Sequence, residues 1–163
     1  MPDSAPQVDH VPVHVRVAAI ADADAVAHLR AEWSADRTDP SFAARIADWM
    51  RSEGDRRTTW LACVGDIAVG LGSLFEYRRM PKPREPDVCW GYIGNMFVRP
   101  AWRGRGIGAA LLRALIAEAD ARGYVRIVLS PSPRARSLYE RHGFVVPDAS
   151  LPDDALLVRT TGG

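Results

Sequence analysis

The stretch Val98-Arg99-Pro100-Ala101-Trp102-Arg103-Gly104-Arg105-Gly106-Ile107-Gly108-Ala109-Ala110-Leu111-Leu112 constrains the fold more than any other part of the chain. A β-branched, aromatic run leads into it and an amphipathic helical run leaves it, so it reads as strand, tight turn, helix. Gly104, Gly106 and Gly108 let the backbone bend sharply and keep Cβ atoms away from anything that approaches it. The helix that follows points free N–H groups and the positive end of its dipole at the turn, which is the chemistry of a phosphate site. Arg103 and Arg105 add charge. The plain alternative is a helix start with permissive glycines and no ligand.

Charge patterning bears on that choice. The 163 residues carry a formal net charge of +1, which argues against nucleic acid as a partner. Yet nine arginines stand between Arg99 and Arg141 against only Glu118, Asp120 and Glu140. A positive region in a near-neutral chain suits a small polyanion. Lys82 is the only lysine and Asn95 the only asparagine, so the preference for arginine is a bias of composition, not a recognition signal.

With 47% apolar and 25% charged residues the chain reads as one globular domain over 12–163, behind a disordered N-terminal tail over 1–11. No apolar run reaches about 18 residues, and Met1 to His10 lacks an apolar leader core, so neither membrane nor export is expected and the location reads as cytoplasmic. The two cysteines, Cys63 and Cys89, and four scattered histidines have no metal-ligand spacing; no metal is expected. Both cysteines sit in or beside apolar strands with no histidine next to them. They read as buried thiols, not acyl carriers.

The elements are expected in the order β-α-α-β-β-β-α-β-α-β-β, a mixed sheet carrying helices in the α/β or α+β class. Strands are placed at 14–18, 58–64, 67–75, 90–98 and 124–129, with the last two at Phe144-Val145-Val146 and Leu156-Leu157-Val158. The first helix follows Ala21-Asp22-Ala23-Asp24 with an aspartate N-cap. The second starts after Asp39-Pro40-Ser41 and stops at Gly54, and the third runs from Gly106 to Arg122. Ser132 is read as the N-cap of a fourth, from about Pro133 to His142.

Two common phosphate loops do not fit the turn. A Walker A loop needs a lysine followed by Ser or Thr, and Lys82 lies elsewhere. Gly104-Arg105-Gly106-Ile107-Gly108-Ala109 matches the dinucleotide pattern in form, but Ser130 and Pro131 stand where its acidic residue belongs. Arg103-x-x-Gly106-x-Gly108 instead resembles the Q/R-x-x-G-x-G/A signature of the GNAT superfamily of N-acetyltransferases. Ala135-Arg136-Ser137-Leu138-Tyr139-Glu140-Arg141-His142-Gly143-Phe144 is similar to that family's second block, A-x-x-L/F-Y-x-x-x-G-F, and follows at the family's spacing.

The resemblance implies a central mixed sheet splayed between its fourth and fifth strands, with helices on both faces. It implies acetyl-CoA as co-substrate, its pyrophosphate on the amides from Arg103 through Gly104, Arg105, Gly106, Ile107 and Gly108 to Ala109. The pantetheine arm would lie along Met96, Phe97 and Val98. Tyr139 matches the tyrosine that protonates the departing thiolate, or else only closes the cleft. Many members carry asparagine where this chain has Ser132, which leaves its contact with coenzyme A open. Asn95 is a candidate to orient the acetyl group or the acceptor, and Glu76 (with Asp87 weaker) to deprotonate the incoming amine. The plain alternative for Glu76 is a solvated strand-end charge, and a water chain is the alternative base. Family members often dimerise through sheet edges, so a homodimer is compatible. The acceptor, a small-molecule or peptide amine, is open among amino acids, polyamines, aminoglycosides, peptide N-termini and protein lysines. A coenzyme-A-binding sensor without catalysis is the alternative function.

Overall fold

Alternation of apolar residues builds the sheet first. In the computed structural model, which describes residues 12–36, 39–147 and 156–161, six strands form one sheet in the order β1-β2-β3-β4-β5-β6. They are β1 (Val13–Val17), β2 (Arg57–Val64), β3 (Ile67–Arg78), β4 (Cys89–Val98), β5 (Arg126–Leu129) and β6 (Leu157–Thr160). All neighbours are antiparallel except β4 and β5, which run parallel. A parallel pair needs a crossover, and helix α3 (Ile107–Ala121) supplies it.

Helices α1 (Ala23–Ser34) and α2 (Phe42–Glu53) cover one face, where Val26 and Leu29 pack on Leu61, Leu71 and Phe97. Helix α3 and the short α4 (Arg136–Glu140) cover the other. There Leu112, Leu115 and Ile116 meet Leu74, Ile93 and Ile127, with Tyr139 and Phe144 closing the end. The expected mixed sheet with helices on both faces is therefore present.

Three local readings are corrected. Phe144-Val145-Val146 is not a strand: only Val145 bridges to Val158, because Pro147 follows at once and cannot extend a ladder. The fourth helix is half its expected length. Residues 133–135 form a turn in which Ala135 N donates to Ser132 O at 3.0 Å, so Ser132 caps no helix. Asp22 does not cap α1 through its side chain either. Its carboxylate turns back to accept from Ala19 N at 2.8 Å and from Arg16 at 2.7 Å, over a single 3₁₀ turn, Ile20–Asp22. The tail read over 1–11 lies outside the described residues.

Candidate active site

At the end of β4, Pro100–Trp102 makes one 3₁₀ turn and the chain then reverses through two left-handed glycines, Gly104 (φ +73°) and Gly106 (φ +78°). A Cβ on either would meet nothing within 4 Å, so these glycines are required by conformation and not by crowding. Helix α3 begins at Ile107 with no side chain capping it, and the first intrahelical bond there is Ala110 N to Gly106 O. That leaves the amides of Ile107, Gly108 and Ala109 for an anion at the mouth of the helix. Arg103 is tied to the strand it follows: its Nε donates to Val98 O at 2.9 Å and its guanidinium lies 5.8 Å from the Phe97 ring. Arg105 stacks over Trp102 at 5.0 Å.

The gap beside β4 arises from mismatched strand lengths. Pairing with β5 ends at Ile93↔Leu129, while β4 continues to Val98. On its other side β4 stays paired with β3 through Leu71↔Phe97, and Arg99 N donates to Val69 O at 2.9 Å. Strand alternation therefore turns the amide of Phe97 toward β3 and those of Met96 and Val98 toward the open edge. Of the three residues singled out on this strand, two present donors to the gap. A bulge opposite Gly72 shifts the register here, and Asn95 takes a left-handed φ of +54° within it.

Tyr139 packs in the α3-face core, in one cluster with Ile93, Leu129 and Met96, 5% exposed, its ring edge-on to Phe144 at 6.0 Å. Its hydroxyl makes no hydrogen bond among the described residues. Burial, and next the nearby Tyr92, push its pKa above the ordinary tyrosine value, which keeps it protonated. Ser132 is exposed on the loop between β5 and α4. His142 is held on its own helix, Nδ1 donating to Leu138 O at 2.8 Å.

On the α1/α2 face a cleft of about 370 Å³ opens against Asn95. Its floor is polar: Thr59 and Ser73 are 4% and 1% exposed, their hydroxyls 3.3 Å apart, and Asn95 Nδ2 donates to Ser73 Oγ at 3.4 Å. Phe42, Ile46 and Trp49 from α2 form one wall; Val26 and Arg30 from α1 help form another. The sequence reading named Asn95 but missed Thr59, Ser73 and the arginines of the rim. The signal was a lone serine inside the apolar run Gly70-Leu71-Gly72-Ser73-Leu74.

Glu76 is not brought to this cleft. Leu71 and Ser73 face it, so alternation along β3 sends Gly72, Leu74 and Glu76 to the α3 face. There Glu76 accepts from Arg78 at 2.6 Å and from Tyr124 Oη at 3.0 Å, with Arg122 at 3.9 Å. Arg78 foremost, opposed by some burial, holds its carboxyl below the ordinary carboxylate range. Asp87 sits in the exposed β3–β4 connection. Cys63 is buried, and that burial raises its thiol pKa; Cys89 is partly buried. Among the described residues no group of three His, Cys, Asp or Glu side chains stands close enough to hold a metal, and no helix is long and apolar enough to cross a membrane.

Comparison with known proteins converges on one family. A family model described as "Acetyltransferase (GNAT) family" matches residues 23–144. Glucosamine 6-phosphate N-acetyltransferase of Trypanosoma brucei brucei is 30% identical over 101 residues, which is 62% of this chain and 67% of that protein. A probable glucosamine 6-phosphate N-acetyltransferase 2 of Oryza sativa subsp. japonica is 34% identical over 114 residues, 68% of this chain and 66% of that one. The chain thus spans about two-thirds of the length of these two curated relatives. Among solved structures, a predicted acetyltransferase with acetyl-CoA from Clostridium acetobutylicum superposes with a TM-score of 0.69 at 21% identity, over 86% of this chain and 95% of that one. A Trypanosoma brucei acetyltransferase gives 0.69 at 25% identity, over 88% and 100%.

Proposed function

The chain belongs to the GNAT acetyltransferase family, and from that premise we propose that it moves the acetyl group of acetyl-CoA to a primary amine by direct attack, with both substrates bound together. One observation carries the reading. The uncapped N-terminus of α3 and the unpaired edge of β4 beyond Ile93 meet at the same end of the sheet. A phosphate-bearing head and an extended, amide-containing arm find complementary partners there in sequence.

Acetyl-CoA supplies the activated thioester. The amides of Ile107, Gly108 and Ala109 hold its pyrophosphate, and Arg105 contributes positive charge nearby. The amides of Met96 and Val98 receive the extended arm, and one of them donates to the acetyl oxygen as negative charge grows on it. A preorganised donor of this kind contributes roughly 2.7–4 kcal/mol in other acyl-transfer sites. The acceptor nitrogen, entering from the cleft beside Asn95, forms the new C–N bond as the C–S bond breaks. Tyr139 gives its phenolic proton to the departing sulfur and regains one from solvent. The proton lost by the amine passes to water, because Glu76 faces the opposite side of the sheet and is already engaged by Arg78 and Tyr124. Ser132, exposed at the rim, is left as an accessory contact to the coenzyme.

A thermal-shift titration with acetyl-CoA, CoA and NAD tests the donor site. At 100 times Kd a specific ligand stabilises the fold by about 2.7 kcal/mol. Stabilisation by both coenzyme A forms and not by NAD is expected; no shift at millimolar acetyl-CoA would make the turn merely structural. Thiol release with glucosamine 6-phosphate, the acceptor in the names of the two curated relatives, is the natural first assay of turnover.

A further inference from the structure

Building on acetyl transfer, we infer that the acceptor is a small amine carrying an anionic group on an apolar body, the anion read by Arg30 and the body lodged against Phe42 and Trp49. The cleft beside Asn95 is lined by two arginines, Arg30 and Arg45, and by no carboxylate among the described residues. Arg30 is half-buried; it donates to Ser34 Oγ at 2.7 Å and lies 4.6 Å over the Trp33 ring. Neither partner neutralises it. Arg45 is paired with Asp39 and supplies less field. A guanidinium has five N–H donors, so Arg30 retains donors for a carboxylate or phosphate.

The same charge excludes other acceptors. A polyamine or aminoglycoside would bring several ammonium groups against Arg30 with no lining carboxylate among the described residues to receive them. The floor adds a second restriction. Ser73 Oγ is shared between Thr59 Oγ1 at 3.3 Å and Asn95 Nδ2 at 3.4 Å, so the floor offers the several hydroxyls of a sugar little beyond the Asn95 amide and the Thr59 hydroxyl. The walls of Val26, Phe42, Ile46, Trp49 and Leu71 suit hydrocarbon or an aromatic ring.

This arrangement also accounts for the lack of a carboxylate base among the described residues that line the cleft. A nearby cation and apolar walls both disfavour the charged form of the incoming amine. The nitrogen therefore enters more readily as the neutral nucleophile, its proton left in water.

The test measures kcat/KM at saturating acetyl-CoA for four amines, in the native protein and in Arg30→Gln. Phenylalanine carries both features, 2-phenylethylamine lacks the anion, glucosamine 6-phosphate lacks the apolar body, and spermidine is a polycation. Acetyl-CoA thermal shifts on both proteins report folding and the donor site separately. Phenylalanine should exceed 2-phenylethylamine by about tenfold or more, with spermidine poorest. Arg30→Gln should bring the first two to near equality while the acetyl-CoA shift persists. Preference for 2-phenylethylamine or spermidine overturns the inference. Preference for glucosamine 6-phosphate over phenylalanine keeps the anion and overturns the apolar body. Acetyl-CoA binding with no turnover of either anionic amine overturns the inference and spares the donor reading; absence of acetyl-CoA stabilisation removes both.

Discussion

Gly72 and Met96 face each other across the β3–β4 bulge so closely that a Cβ on the glycine would stand 2.6 Å from Met96 Sδ, and 3.0 Å from Leu115 Cδ1. The absence of a side chain on β3 thus leaves the space over the bulge that the Met96 thioether fills beside Leu115. Gly72→Ala should lower stability by about 1–3 kcal/mol through overpacking and weaken acetyl-CoA binding along with it. Urea denaturation and a coenzyme titration on the same protein check both halves. A stable variant with native affinity would show that Met96 can move without consequence.

The three glycines of the turn should behave differently. Gly106→Ala forces a left-handed φ on an alanine, at a cost of about 1–2 kcal/mol, and disturbs the amides at the helix start. Gly104→Ala should act alike. Gly108 lies in the first turn of α3 with ordinary φ, and a Cβ there would find Leu138 Cδ2 at 3.4 Å, an ordinary contact. Gly108→Ala should leave stability unchanged or raise it by up to about 1 kcal/mol. Melting temperatures of the three variants, measured without ligand, separate conformation from binding.

Tyr139→Phe removes a hydroxyl that no described residue bonds, so stability should change by less than about 1 kcal/mol. Acetyl-CoA affinity should stay near the native value while kcat falls roughly 10²–10⁴-fold. Because burial raises the tyrosine pKa, the acid form persists to higher pH than in a free phenol. The native alkaline loss of kcat should therefore fall above the ordinary tyrosine value of about 10. Undiminished turnover in the phenylalanine variant would leave Tyr139 a packing residue.

The Glu76–Tyr124 pair should shape stability at both ends of the pH scale. Glu76 titrates below its ordinary 4.5 in the folded state, so its contribution is complete above that value and is lost as pH falls through the lower folded one. Tyr124, buried and hydrogen-bonded to Glu76, is pushed up to about 12 from 10. Its contribution is complete below 10 and lost as pH rises toward 12. Glu76→Gln should lower stability at pH 7 and flatten the acid side of a urea-midpoint profile, with kcat within a few-fold of native. A hundredfold drop in kcat and a lost acidic pKa would instead restore Glu76 as the general base.

What was legible in the sequence tracks how local its determinants are. The turn from Arg103 to Ala109 carries its own geometry in glycines, and its strand-turn-helix context survived intact in the fold. Strand ends were read short where pairing extends them: β3 runs three residues past Phe75 because β4 reaches back to Cys89 to meet it. The Ser132-Pro133 start of α4 failed because tertiary packing of Leu138 and Tyr139 on α3, rather than the cap signal, determines where that helix begins. Glu76 was misplaced for a subtler reason. A carboxylate at a strand end reveals its face only once it is known which helix layer covers which side of β3, and tertiary packing decides that: Leu71 meets α1 while Leu74 meets α3. Ser73 stood out alone in its apolar run, but its pairing with Thr59 was illegible, because the two hydroxyls lie fourteen positions apart and only the β2–β3 pairing brings them together.

Asn95 combines two roles that substitution separates. Its left-handed φ of +54° is one that asparagine tolerates and glycine prefers, and its side chain reaches Ser73 at the cleft floor. Asn95→Gly keeps the backbone of the bulge and deletes the amide; Asn95→Ala deletes the amide and strains the backbone. The glycine variant should unfold within about 0.5 kcal/mol of native, the alanine variant about 1 kcal/mol or more below it. If the side chain orients the acceptor, both should lose about tenfold in kcat/KM for the amine, the equivalent of about 1.4 kcal/mol, while acetyl-CoA affinity survives in the glycine variant. Steady-state kinetics with each substrate varied in turn give the comparison. Native acceptor kinetics in Asn95→Gly with impaired kinetics in Asn95→Ala would assign the residue wholly to the bulge, and the polar floor of the cleft would then rest on Thr59 and Ser73 alone.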